Sequence, residues 1–477
     1  MSGKPQVIII GAGISGLAAA EKLTKFGFHN YKILEASDRI GGRIHTVEDG
    51  NPDEKKVELG ATWIHGQKKN PVFELAKTNK LIDEQELKKQ RKRMTVYVTE
   101  EGETIGEDLV DKVWDKLEQF SEEADEFFES ETPYPDINES YGAFLQQRFD
   151  KFLQKKNNSE REKMERVLLN EKSGECAYSG CDSVDELSLK YFGSYEELSG
   201  KHVTFGRGYS SLLEVIKRNI PDEKIILKRP VKTIHWGKTM LDEGTFEVKV
   251  ECQNGECFYA NHIIVTVSLG VLKAHHNTLF NPCLPSNKQQ AIDKLGFGTV
   301  DKVILFFDEP VLGRDIGCLS LMWSSDKKDL SKDGKIANWC RKMSELTAVY
   351  GNAILGWVTG KEALEMEKLS EDEVTENVMT VLRTFLRRDD LPTPVKLIRT
   401  RWGNNPSVLG SYSFVKVGSS TQDIRYLREP TSATCSEKPV LLFAGEATHE
   451  SFYSTTHGAF LSGQREAQRI LDLYKNI

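Results

Sequence analysis

The chain opens on an apolar run, QVIII, then a glycine-spaced turn, GAGISG, then LAAAEKL, where polar positions return at helical spacing. An apolar run bounded by glycine predicts a strand over Gln6 to Ile10, and the periodicity behind it predicts a helix to about Phe26. A second strand, YKILEA, ends at Glu35. KRPVKTIHW around Val231, HIIVTVSLGVL around Val265 and VLLFAGE near the C-terminus read as further strands returning to the same sheet, so the first domain is discontinuous. Between these pieces the period changes. Val110, Val113, Trp114, Leu117, Phe120, Ala124 and Phe127 recur at three- and four-residue steps and predict an amphipathic helix over 105–131. Tyr141, Phe144, Leu145, Phe149, Phe152 and Leu153 predict another over 141–153. The acidic run 122–131 reads as a solvated helix face, and KKNNSEREK near 155 as an exposed loop. No repeat of twenty to fifty residues is visible.

The βαβ beginning changes in meaning once its glycines are placed. Gly11, Gly13 and Gly16 fit the dinucleotide fingerprint: the first permits the tight turn, the second lets backbone approach a pyrophosphate, and the third lets helix and strand pack closely. The pyrophosphate then meets a helix N-terminus, where free N–H groups favour anions. Glu35, 19 positions after Gly16, stands where a carboxylate accepts hydrogen bonds from a ribose. Directly after it, DRIGGRI brackets Gly41 and Gly42 with Arg39 and Arg43, a natural second phosphate contact.

Composition narrows the partners. At 477 residues, 39% hydrophobic and 29% charged, the chain is long enough for two domains with cores of their own. A net charge of −8 argues against a nucleic-acid partner held by phosphate contacts and is compatible with a cationic ligand. The eight cysteines are scattered and lack zinc-ligand spacing, which predicts reduced thiols, no metal, and a cytoplasmic protein. Residues 6–20 are apolar, but their fixed glycine spacing marks mature structure rather than a signal peptide. No run of about eighteen apolar residues predicts a membrane span, and the final Lys475, Asn476 and Ile477 are not a peroxisomal address.

Near the C-terminus, GEATHESFYSTTHGAF is dense in hydroxyls and imidazoles. By residue type alone, Ser454 and His457 suit a nucleophile and base, His449 and His457 a metal, and the whole run a polar, close-packed helix entrance to a cofactor.

Six motifs in order select the last. GAGISGL with Glu35, DRIGGRI, ELGATWIHG, LGFGTVDK, RWGNNPSVLGSYS and GEATHESFYSTTHGAFLSG together resemble the flavin-containing amine oxidases, most closely the polyamine oxidase branch. The resemblance implies an α/β chain, α+β overall: a Rossmann-like FAD-binding domain with a mixed-sheet and helical substrate domain. It implies FAD-binding parts at 1–80, 198–298 and 430–477 and substrate parts at 81–197 and 299–429. It implies non-covalent FAD, polyamine and dioxygen as partners, oxidation of the carbon beside an uncharged amine, imine hydrolysis, and hydrogen peroxide. Lys302 is the implied holder of a water at flavin N5, starting at the edge of a strand VILFF, and His65 the group that positions the substrate amine. Gly60, Ala61, Trp63, Val231, Trp402, Gly445, Glu446 and Thr456 are implied cofactor contacts beside Gly11, Gly13, Gly16, Glu35 and Arg43. Glu446 is placed for the ribityl hydroxyls, and the last helix presents its N-terminus to the flavin pyrimidine. Tyr412 supplies one aromatic wall, and Thr455, a cofactor and substrate contact, stands where the monoamine branch has a second.

The chain also departs from the family. Glu450 and Leu409 stand where basic residues are frequent, and GECAYSGC does not reproduce the acidic and hydroxyl contacts of spermine-preferring members; Tyr178 and Ser179 are the candidates for that wall. The alternatives are a lysine demethylase, whose long helical insertion is not seen, a monoamine oxidase, whose C-terminal membrane helix is not seen, and a non-catalytic dinucleotide-binding protein. A Ser–His hydrolase is disfavoured because no GxSxG elbow precedes Ser454.

Overall fold

The computed structural model describes residues 5–48, 56–82, 93–130, 135–237, 246–325, 336–432 and 438–475. Among these residues one six-stranded sheet runs in the order Thr431–Ser432, Pro439–Phe443, His262–Val265, Val7–Ile10, Tyr31–Leu34, Ile225–Ile226. Val7–Ile10 pairs in parallel with both neighbours and all four of its residues are buried, as a central strand covered on both faces requires. Helix Ile14–Lys25 packs along the last helix, Thr456–Leu473. Gly463 allows that approach, since a Cβ there would lie 2.0 Å from the Ser15 carbonyl oxygen.

One expected strand goes elsewhere. Val231–Trp236 pairs antiparallel with Val248–Cys252 in a separate four-stranded sheet, and Ile225–Ile226 takes the edge beside Tyr31–Leu34 instead. Only Ile234 and Trp236 of that strand are buried, an alternation that suits a sheet with one wet face and not the doubly covered parallel one.

The second six-stranded sheet runs Lys396–Arg399, Val300–Phe306, Ala353–Thr359, Glu345–Val349, Ile316–Met322, Met94–Thr99. Its pairs are antiparallel except the last. Lys302 is the third residue of its strand rather than a residue ahead of it, and all seven residues of that strand are buried.

The amphipathic helices form as Glu107–Glu129 and Tyr141–Leu153. The expected loop near 155 is a correction: the chain re-enters a helix at Asn158 and stays helical to Ser179. The Asn157 side chain accepts the Glu160 N–H at 2.9 Å as N-cap, and Lys156–Glu160 and Arg161–Glu165 pair one turn apart. Capping and paired charges stabilise the polar first turns of this helix, and Met164, Val167, Leu168 and Cys176 bury the apolar face that follows. Helix 158–179 stops at Gly180, whose φ of +78° closes the end. No helix of the described residues is long and apolar enough to cross a membrane.

Candidate active site

A cavity of about 1270 Å³ is lined from both six-stranded sheets and from helix 158–179. At one end stand the glycine turn and Glu35. A Cβ on Gly16 would lie 2.0 Å from the Gly11 carbonyl oxygen, so this position is closed to any side chain, whereas the nearest atom to one on Gly13 is 3.9 Å away. Gly13 therefore leaves room at the N-terminus of helix 14–25. Glu35 accepts the Ala12 N–H at 2.6 Å and the Ser37 N–H at 2.8 Å, holding its carboxylate at the cavity rim. Val231 lines this end with Arg229. Gly60 packs directly on the 41–45 turn, where a Cβ would lie 1.8 Å from the Arg43 carbonyl oxygen, and Ala61 donates its N–H to that oxygen.

The two arginines of this end are engaged by protein oxygens. Arg39 braces its own loop through the carbonyls of Ile40, Gly42 and Ile44. Arg43 Nη1 donates to Ser411 O at 2.7 Å and to Glu446 Oε1 at 2.8 Å. Glu446 Oε2 accepts from Ser413 Oγ at 2.6 Å and from Ser454 N at 3.0 Å, so this buried carboxylate ties three segments together where it faces the cavity.

The polar run resolves as a helix entrance. Thr455 is the N-cap of helix 456–473, accepting the Gly458 N–H at 2.9 Å and donating to Phe452 O at 2.7 Å. Thr456 Oγ1 bonds Tyr209 Oη at 2.5 Å. Gly445 adopts φ +119° ahead of this entrance, and its N–H is held by Ser462 Oγ. Ser454 donates its hydroxyl to Ser413 O rather than to His457, and His449 Nδ1 accepts the Phe452 N–H, so neither the nucleophile pair nor the metal pair is assembled.

The chemical centre lies where the strand 300–306 faces residues 58–65. Lys302, 3% exposed, donates from Nζ at 2.7 Å to Glu58 O, Gly60 O and Thr62 Oγ1. Those are all the donors an ammonium has. Burial lowers its pKa to about 7, with Glu58 opposing, so the amine exchanges a proton near neutrality. Trp357, which sequence reasoning missed, roofs this lysine at 4.8 Å and stacks on Trp63, centroids 6.0 Å apart. Trp402 donates Nε1–H to Leu59 O. His65 is held neutral, its pKa lowered to about 4 by burial and by His202, and its buried Nδ1 has no hydrogen-bond partner among the described residues. Tyr178 packs edge-on against the His65 ring at 6.3 Å. Tyr412 donates its hydroxyl to Ala177 O, and a Cβ on Gly180 would lie 2.6 Å from its ring.

Beyond His65 the cavity turns acidic. Asp125, Glu171, Glu175 and Glu197 line this arm with Tyr178 and Tyr195. The Glu175 pKa is pushed up to about 7 by burial, against the Ser179 hydroxyl that donates to it and with Glu171 and Asp125 adding repulsion. Burial likewise raises Glu171. Asp125 sits at about 6, raised by partial burial and by Glu122 and Glu197. The run 122–131 is a largely solvated helix face, as expected, but its exposed Asp125 also lines the cavity, and within GECAYSGC it is Glu175 that supplies an acid to the wall. Ser179 lines the cavity as well and donates its hydroxyl to Glu175. The available signal was the i, i+4 spacing of Glu171 with Glu175 and of Ser121 with Asp125, which requires knowing that 158–179 is a helix.

The chain matches the model of the flavin containing amine oxidoreductases over residues 14–471, and it belongs to that family. FAD is accordingly its cofactor, and the glycine turn, Glu35 and the close-packed entrance of the last helix fit one. It is 36% identical to the peroxisomal N(1)-acetyl-spermine/spermidine oxidase of Homo sapiens, over 99% of this chain and 96% of that protein. It is 32% identical to polyamine oxidase 1 of Oryza sativa subsp. japonica, over 99% of this chain and 98% of that one. Lysine-specific histone demethylase 1 homolog 2 of the same plant is 32% identical over 98% of this chain but only 57% of its own length.

Proposed function

We propose that the protein is a cytoplasmic FAD-dependent polyamine oxidase that takes spermine or N1-acetylated polyamines, with dioxygen as the final acceptor. The observation that carries the substrate class is the acidic arm: Asp125, Glu171, Glu175 and Glu197 line it without a lysine or arginine among them. Glu171 and Glu175 are partly buried, Asp125 and Glu197 are exposed at the arm's mouth with Glu197 near His202, and together they are complementary to a chain of ammonium groups. The names of the human and rice relatives support the same class.

FAD, when bound, supplies the acceptor for a hydride from the carbon beside an uncharged amine. The residues divide the remaining tasks. Glu175 and Asp125 hold distal ammonium groups and so set which carbon reaches the reacting end. His65 Nδ1, neutral and without a partner among the described residues, is available to accept a hydrogen bond from the reacting nitrogen while adding no charge. Lys302 Nζ takes or releases a proton beside Thr62, and Trp63, Trp357 and Tyr412 keep bulk water from the reacting carbon. Overall, amine, water and dioxygen yield an aldehyde, a shortened amine and hydrogen peroxide. The free thiols among the described cysteines support a reducing compartment.

Anaerobic spermine and N1-acetylspermine should bleach the yellow protein, while a monoamine of equal chain length should not. Bleaching by the monoamine alone, or by none of these amines, overturns the assignment.

A further inference from the structure

The turn that carries Trp402 is gripped by two buried carboxyl groups outside the cavity. Asp301 is 0% exposed and Glu367 3%. Asp301 Oδ1 accepts the Thr400 hydroxyl at 2.6 Å and the Trp402 N–H at 3.0 Å. Glu367 Oε1 accepts the Gly403 N–H at 2.7 Å and its Oε2 the Asn404 N–H at 2.8 Å. Three consecutive backbone N–H groups, 402 to 404, thus end on these two acids. The turn is pressed onto helix Gly360–Lys368, because a Cβ on Gly403 would lie 2.2 Å from a Leu364 methyl and 3.0 Å from Glu367 Oε1.

Asp301 Oδ2 is buried and receives no donor from other described residues. The Asp301 side chain lies within hydrogen-bonding contact of the Glu367 carboxyl. Two carboxylates in contact away from water cannot both stay charged, and one shared proton turns their repulsion into a short O–H···O bond. Burial, followed by Glu367, raises the Asp301 pKa to about 8. The other charged groups facing the pair are few. Arg399 feels both acids but gives its Nη atoms to Met366 O and Leu369 O, with Arg401 repelling it. Lys302, next along the strand, points to the opposite face.

We propose that Asp301 and Glu367 share one proton and, in that state, act as positioning residues that hold Trp402 at the rim of the flavin site, loosening it when the proton leaves. The inference rests on the placing of Trp402 beside the flavin. Asp301→Asn provides the test, because its amide donates permanently to Glu367 while its carbonyl still accepts from Thr400 and Trp402. Flavin affinity of the wild-type holoprotein should weaken above about pH 8, approaching about tenfold per pH unit as one proton is lost. Asp301→Asn should bind flavin as tightly at neutral pH and escape the alkaline weakening. Glu367→Gln, which removes an acceptor from the turn, should bind weakly at every pH. Infrared difference spectra of wild type minus Asp301→Asn should show a protonated carboxylic acid that disappears through about pH 8 in the apoprotein and only at higher pH in the holoprotein. Identical pH profiles of flavin affinity for wild type and Asp301→Asn, or no such band at pH 6, overturn the proposal. A band that is present in a protein binding no flavin refutes the Trp402 placement instead.

Discussion

The two ends of the cavity are opposites in charge and in construction. The nucleotide end gathers the glycine turn, Glu35, Arg39 and Arg43 from one stretch of about thirty-five residues, and the last helix closes it. The acidic end draws Asp125 from one helix, Glu171 and Glu175 from another and Glu197 from a following segment. Groups that are adjacent in the chain are oriented by local backbone geometry, so their spacing encodes their arrangement. Groups brought together by helix packing are oriented only once the cores under them are formed. The first end therefore tolerates almost no change in backbone, and the second is tunable one side chain at a time.

The largest effect expected from this contrast is at Gly16. Gly16→Ala drives a methyl into the Gly11 carbonyl, 2.0 Å away, and should destabilise the apoprotein by about 1–3 kcal/mol as well as abolish flavin binding. Gly13→Ala meets nothing closer than 3.9 Å and should melt like wild type within about 0.5 kcal/mol, yet lose the flavin. Melting curves with and without FAD separate the two; equal melting of both apoproteins breaks the claim that one glycine serves packing and the other the ligand. Next comes Lys302→Met, which should keep the flavin and slow turnover by about 10²–10⁴-fold, the range of a lost proton-transfer group. Turnover within threefold of wild type removes Lys302 from the mechanism.

At the acidic end, Glu175→Gln should raise KM for spermine by about 10–100-fold, the worth of one charge-assisted hydrogen bond, and leave flavin binding intact. The same change should stabilise the apoprotein at alkaline pH. Glu175 has a folded pKa of about 7, above its ordinary value of 4.5, so the native state keeps a proton that the unfolded chain gives up. Its contribution is full below pH 4.5 and is lost as pH rises to about 7. Wild type should therefore lose stability relative to the Gln variant across that window. Parallel stability curves from pH 4 to 8 contradict the burial assigned to this acid.

The same contrast explains what the sequence made legible. The strand 7–10, helix 14–25 and the roles of Gly11 and Gly16 follow from local pattern, and the motifs carried the family. The strand at 231–236 was expected in the nucleotide sheet, but its alternation, with only Ile234 and Trp236 buried, places it in a separate sheet with one wet face. Helix 158–179 was hidden by its polar start, where Asn157 and the Lys156–Glu160 pair stabilise the first turns before Met164, Val167 and Leu168 reach the core. Missing that helix meant missing that Glu171 and Glu175 share a face. Trp357 and the Asp301–Glu367 contact arise from strand pairing and helix docking across more than fifty residues, for which local spacing carries no signal.

The smallest effect is the one that most sharpens the reading of the acidic arm. Ser179 was expected to touch substrate; it lines the cavity, and its hydroxyl turns back one helical turn to the Glu175 carboxylate. That hydrogen bond favours the charged form and is the influence opposing burial there. Ser179→Ala removes it, so the Glu175 pKa should move further up, by less than about one unit, as expected for a single hydrogen bond. Fewer enzyme molecules then carry the carboxylate at pH 7, and kcat/KM for spermine should fall about two- to fivefold there. At pH 9 the carboxylate is ionised in both proteins and the difference should close, whereas loss of a direct substrate contact would lower kcat/KM equally at both pH values. The ratio of wild type to Ser179→Ala measured at pH 7 and pH 9 decides between a residue that binds substrate and one that tunes the acid beside it.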